Sequence, residues 1–180
     1  MIPKKIFFTK GVGNHYDKLQ SFELALRNAS IEKFNLVKVS SIIPPKCEEI
    51  SISSGLKLLK PGQIVYTVMC KASSNELNKL FSASIGMARS RDNNSYGYLS
   101  EYQAFGMESR KAGVIAEDLA ASMLGTTWGI RFNQNLDYDE KIKFFREKGK
   151  AIKTKSITAS ATVGVENEWT TVIAAAIFIL

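Results

Sequence analysis

The chain has 180 residues, 45% of them apolar and 23% charged, with a formal net charge of +7. That length suits one domain with a substantial core, and no apolar stretch reaches the length needed to cross a bilayer. The lysines are dispersed and no finger, helix-turn-helix or glycine-aromatic RNA motif accompanies them, so the charge alone does not make a nucleic-acid binder. Cys47 and Cys70 offer neither a metal spacing nor a disulfide framework. The N-terminus has no secretion-signal pattern, and a cytoplasmic location fits.

In chain order, Lys5 to Thr9 reads as a first strand, followed by a turn at Gly11-Val12-Gly13-Asn14. The downstream residues of a phosphate loop are missing there, and His15, the single histidine, suits a surface or capping role. Leu19, Phe22, Ala25, Leu26 and Ala29 fall at helical spacing, which predicts a helix over about 16–28. Phe34 to Val39 is a second strand. Cys47 to Ser53 adds a short extended piece, and Pro61-Gly62 marks a turn. Gln63 to Cys70, rich in Ile, Val and Tyr, reads as a central strand.

Asn75 to Ala88 is expected to be a helix rich in small residues. Tyr96 to Tyr102 is expected to be a strand with Glu101 near its end. A helix over 109–124 stops at Gly125, and Tyr138 to Lys148 reads as a short surface helix. Ser156 to Val163 and Thr170 to Leu180 read as two strands of a hairpin around an acidic loop, Glu166-Asn167-Glu168. The last strand, with its Ala174-Ala175-Ala176 centre, is expected to be covered on both faces. This order predicts layered sheet and helix without choosing among such architectures.

The most informative stretch is Asn35-Leu36-Val37-Lys38-Val39-Ser40-Ser41-Ile42-Ile43-Pro44-Pro45. A strand ends in two serines, and two prolines then stiffen the chain and push Ile43 out of the helical region. One reading is an ordinary strand end whose serines satisfy local backbone groups. The other is chemical. A hydroxyl held against the preceding carbonyl carbon can attack it, turn the amide into an ester and lead to chain cleavage, given proximity and a stabilised oxyanion.

These residues resemble the processing site of the pyruvoyl-dependent arginine decarboxylases: Asn35, four residues, then Ser40-Ser41-Ile42 and the pair Pro44-Pro45. Glu101-Tyr102 is similar to the family's catalytic Glu-Tyr pair. The resemblance spans most of the chain and is weakest between Trp128 and Lys155. It implies a single α+β domain, a four-layer αββα sandwich. It also implies cleavage between Ser40 and Ser41 into a β chain of residues 1–40 and an α chain of residues 41–180. The implied cofactor is a covalent pyruvoyl group made from Ser41, with no metal.

The implied reaction is decarboxylation of L-arginine to agmatine through a Schiff base with that group. Glu101 would return the proton, and Ser40 would supply the attacked carbonyl. The amide of Asn35 would polarise that carbonyl or hold the ester oxyanion. Glu23 stands where the family has an aspartate near the substrate guanidinium, so an acid is kept with one more methylene. The resemblance further implies a homotrimer or a dimer of trimers with active sites between subunits, and a small amino acid as substrate; the dispersed charge and short apolar stretches lead us to expect no nucleic-acid or membrane partner. Two alternatives stay open at this point: a decarboxylase of another cationic amino acid, and an uncut, non-enzymatic α/β binding protein.

Overall fold

The computed structural model describes residues 1–130 and 151–180, with positions 140 and 143 between them. Apart from those two positions, the expected helix over 138–148 lies outside the described residues.

Strand β1 (Lys5–His15) runs straight through the two glycines at which the sequence predicts a turn. The reason is helix α1 (Lys18–Asn28), which lies directly on it. A Cβ at Gly11 would stand 2.1 Å from the Ala25 carbonyl oxygen, and one at Gly13 2.3 Å from that of Ser21. The missing side chains let helix and strand backbones touch. Asp17 caps α1 by accepting the Gln20 amide at 2.9 Å, and His15 Nδ1 accepts the Asp17 amide. The only histidine is thus a capping residue, in line with expectation.

The chain continues through β2 (Asn35–Lys38), β3 (Ile42–Ile43), β4 (Glu48–Glu49) and the short helix α2 (Ile52–Leu56). After these come β5 (Ile64–Ser74), β6 (Leu80–Ser90), β7 (Gly97–Phe105), α3 (Ser109–Thr127), β8 (Ile152–Thr162) and β9 (Trp169–Ile179). One sheet has the order β2-β5-β9-β1-β4, and the second has the order β3-β7-β6-β8. The second is antiparallel throughout. The first is parallel only at its two outer pairs, β2 with β5 and β1 with β4.

Four further expectations need correction. Residues 80–88 form strand β6, where the sequence predicts a helix. Phe81, Ala83, Ile85 and Met87 join the core between the sheets, and the alternate residues face α3. Burial of both faces makes every position apolar or small and erases the period that separates strand from helix. Gly86 allows the closest approach, since a Cβ there would lie 2.1 Å from the Ala116 carbonyl oxygen.

The predicted final hairpin does not form. β8 pairs with β6 at the edge of the second sheet, and β9 sits at the centre of the first between β5 and β1. The acidic loop therefore crosses between sheets. Gly125 lies inside α3, which continues to Thr127. The extended piece expected over 47–53 is reduced to the two residues of β4 before α2 begins.

The two sheets face each other across a core that includes Ile6, Phe81, Ile85, Leu99, Val172 and Phe178. α1 and α2 cover the outer face of the first sheet over Phe7, Val65, Ile173 and Ile177, and α3 covers the second, where its Ala120, Ala121 and Leu124 cluster with Ala88. The layers are helix, sheet, sheet, helix, the αββα sandwich that the resemblance implies. β9 is buried on both faces from Thr170 to Ile179, as its composition predicts. Among the described residues, no helix is long and apolar enough to cross a membrane.

Candidate active site

β2 is the outer strand of the first sheet, and β3 is the outer strand of the second. The segment joining them is Val39-Ser40-Ser41, so the serine pair is the point at which the chain changes sheets. Val39 still donates to the Thr67 carbonyl at 3.0 Å, the last bond to the first sheet. Ser41 already accepts the Leu99 amide at 2.8 Å, the first bond to the second. Between these anchors Ile42 donates its amide to the Ser40 carbonyl oxygen at 2.9 Å, which closes a three-residue turn centred on Ser41. Ile43 is buried in the intersheet core, and Pro44 follows it.

A carbonyl that accepts a backbone N–H is polarised toward nucleophilic attack, and the same N–H stabilises the oxyanion that attack creates. The sequence carries no signal for this donor, because any residue except proline supplies one. Ser40 also lines an apolar cavity of about 420 Å³ with Ile2, Pro3, Val39, Ile42, Tyr66 and Phe178.

Ser41 stands level with Leu99 on β7. Glu101 lies two residues further along the same face, about 7 Å by strand rise. Glu101 thus lies on the strand beside Ser41 within one chain, offset from it by two residues. Glu101 stands in the middle of β7 rather than near its end. Its side chain is 39% exposed and faces Lys38 Nζ on β2 at 3.6 Å, an ion pair that spans the two sheets. Lys38, Cys70, Lys71, Glu101 and Gln103 line a cavity of about 490 Å³. Cys70 donates its thiol to the Tyr102 carbonyl at 3.3 Å, and burial, opposed in part by backbone hydrogen bonding, pushes that thiol's pKa up. Lys38 is the residue here that sequence reasoning passes over. It reads as one more solvated lysine until the fold brings β2 and β7 side by side.

Asn35 is placed differently from the expectation. It begins β2, and its Nδ2 donates to the Gly62 carbonyl at 2.7 Å. Five residues of extended chain, roughly 16 Å, separate it from Ser40. Within its own chain its amide therefore anchors the turn at Gly62 and does not reach the Ser40 carbonyl. Glu23 is on α1, where Arg27 Nε donates to its Oε1 at 2.5 Å. No described contact joins Glu23 or Asn35 to Ser41 or Glu101.

A cavity of about 980 Å³ lies elsewhere, where β4 meets β8. Glu49 there receives Lys155, Lys153 at 3.2 Å and Arg89 at 3.7 Å. Burial works against its charge, but Lys155 and Lys153 outweigh it and hold the Glu49 carboxyl below the usual carboxylate range. Arg89 also donates to the Cys47 carbonyl at 2.8 Å, and burial pushes the Cys47 thiol up to about 11. This group clips the free edges of the two sheets together.

The family described as pyruvoyl-dependent arginine decarboxylase matches residues 5–180. A protein of Chlorobium phaeovibrioides, described as a probable pyruvoyl-dependent arginine decarboxylase, is 54% identical over 178 residues, which cover 99% of this chain and 98% of the relative. One of Methanococcoides burtonii, described as a pyruvoyl-dependent arginine decarboxylase, is 49% identical over 180 residues, all of both chains. One of Methanosarcina acetivorans, described as pyruvoyl-dependent arginine decarboxylase 2, is 47% identical over 179 residues, 99% of this chain and 98% of the relative.

Proposed function

The chain belongs to the pyruvoyl-dependent arginine decarboxylase family, and from that premise we propose that it cuts itself between Ser40 and Ser41 and then decarboxylates L-arginine to agmatine and carbon dioxide. The observation that carries the proposal is the turn at the serine pair, where Ile42 N–H holds the Ser40 carbonyl oxygen at 2.9 Å.

Ser41 Oγ adds to the Ser40 carbonyl carbon, the Ser40–Ser41 C–N bond breaks, and the hydroxyl proton passes to the freed amine. Ser40 is then an ester on Oγ. Loss of the Ser41 Cα proton expels the Ser40 carboxylate and ends a β chain of residues 1–40. Hydrolysis of the remaining dehydroalanine releases ammonia and leaves the pyruvoyl group at the head of an α chain of residues 41–180. The pieces stay together because the β2–β5 ladder holds residues 35–38 and the Lys38–Glu101 pair joins one piece to the other.

The residues around position 41 fit that group: the Leu99 amide fixes the Ser41 carbonyl, and an acid stands nearby on the same strand. When formed, the group supplies a ketone that takes up the substrate amine and accepts the electrons released as the α-carboxylate departs. Glu101 returns a proton to the substrate α carbon, with Lys38 beside it. Glu23 attracts the cationic end of arginine.

A second copy of the chain completes the site. Asn35 cannot serve the Ser40 carbonyl of its own chain, and it serves a neighbour's instead. Val37, Val39 and Ile42, on or beside the two outer strands, are exposed apolar residues suited to such contact. The assembly is a homotrimer or a dimer of trimers, and the enzyme is cytoplasmic. The test is incubation of the purified protein with L-arginine. The proposal expects agmatine and carbon dioxide in equal amounts, and neither product from Ser41→Ala.

A further inference from the structure

Glu23, assigned above to the substrate guanidinium, already holds a guanidinium. Arg27 lies one turn further along α1 and donates Nε to Glu23 Oε1 at 2.5 Å. The two side chains are 65% and 42% exposed, so the contact is open to exchange. The neighbouring Phe22 lies under Lys71 Nζ at 4.3 Å, and Lys71 lines the cavity that also holds Glu101. Lys71 thus links this side of α1 to the cavity that holds Glu101.

We infer that Arg27 is an internal competitor for the seat of the substrate guanidinium and thereby sets the arginine affinity of the enzyme. The inference rests on the reading of Glu23 given above. Two physical effects act in the same direction. A planar guanidinium binds a carboxylate best through two parallel N–H bonds, one to each oxygen, so a bidentate substrate has to displace Arg27 from Oε1. The positive charge of Arg27, four residues from Glu23, also repels an incoming cation. Both raise the concentration of arginine needed to fill the site, and neither touches the chemical step.

A purely structural Arg27 would act otherwise. A Glu-to-Arg pair at this spacing, with the cation in the last turn, supports the helix. Its loss would lower thermal stability slightly and leave substrate affinity alone.

The experiment compares fully processed wild type, Arg27→Gln, Arg27→Lys and Glu23→Gln by steady-state kinetics with L-arginine and by calorimetric titration with agmatine. Glutamine is a good helix former, so the variant keeps α1. Arg27→Gln is expected to lower KM and tighten agmatine by roughly two- to fivefold, the range set by an exposed ion pair, with kcat unchanged. Arg27→Lys is expected to return most of the wild-type KM. An unchanged or raised KM in Arg27→Gln, together with a raised KM in Glu23→Gln, overturns the competitor role and keeps the Glu23 reading. An unchanged KM in Glu23→Gln overturns both.

Discussion

The Ile42 amide donates to the Ser40 carbonyl oxygen at 2.9 Å, across a turn whose central residue is Ser41. The proposed nucleophile, electrophile and oxyanion donor thus lie on three consecutive residues, and the two sheets hold them from either side. Replacement of the Ser41–Ile42 amide by an ester removes that donor and little else. Loss of one oxyanion donor costs about 10²–10³ in rate. Self-cleavage of the ester variant, followed by the appearance of two chains over time, is expected to slow by that factor.

The proposed cleavage gives the two serines unequal parts. Ser41→Ala removes the attacking oxygen and is expected to leave one uncut chain. Ser40→Ala keeps the attacked carbonyl and is expected to be cut. Denaturing electrophoresis of both variants after long incubation separates the roles.

Glu101 is assigned proton return after decarboxylation, a step that follows processing. Glu101→Gln is expected to cut normally and to lose about 10²–10⁴ in kcat, the range for a general acid. Quantitation of agmatine from a fully processed sample measures it.

This region also shows what the sequence made legible. Asn35 to Pro45 and Glu101-Tyr102 are legible only through their resemblance to the family's motifs; by pattern alone Ser40-Ser41 reads as an ordinary strand end and Glu101 as one of 17 acids. The same chain hides β6, since Phe81 to Ala88 is buried on both faces and keeps no polar side to mark its period. It hides the long β1, since Gly11 and Gly13 read as a turn until α1 is known to rest on them. It hides the partners of β8 and β9, which are neighbours in sequence but lie in different sheets. The Lys38–Glu101 pair depends on that same long-range arrangement.

A site shared between copies predicts rescue between defective chains. Ser41→Ala lacks the reacting group and Asn35→Ala lacks the amide proposed to serve a neighbour, so each alone is expected to be inactive or nearly so. Co-expression is expected to restore processing and agmatine formation, because some interfaces pair an intact Asn35 with an intact Ser41. The control is the doubly substituted chain co-expressed with itself, which should stay inactive.

The clip at Glu49 predicts a pH-dependent loss of stability. A carboxyl whose folded pKa is depressed contributes stability above its unfolded pKa, and that contribution disappears as pH falls through the folded value. The ion pairs with Lys155, Lys153 and Arg89 are therefore expected to hold at neutral pH and to be lost below the usual carboxylate range. Glu49→Gln is expected to lower stability by about 1–3 kcal/mol at pH 7, between the values for exposed and buried pairs. The difference from wild type should vanish at low pH. Denaturant melts at a series of pH values check the sign.

The most direct measurement is the intact mass of the purified protein under denaturing conditions. Self-processing predicts two chains from the 20.0 kDa precursor, one of residues 1–40 ending in a Ser40 carboxylate and one of about 15–16 kDa headed by a pyruvoyl group at position 41. A single unmodified chain of 180 residues that persists on incubation would contradict it.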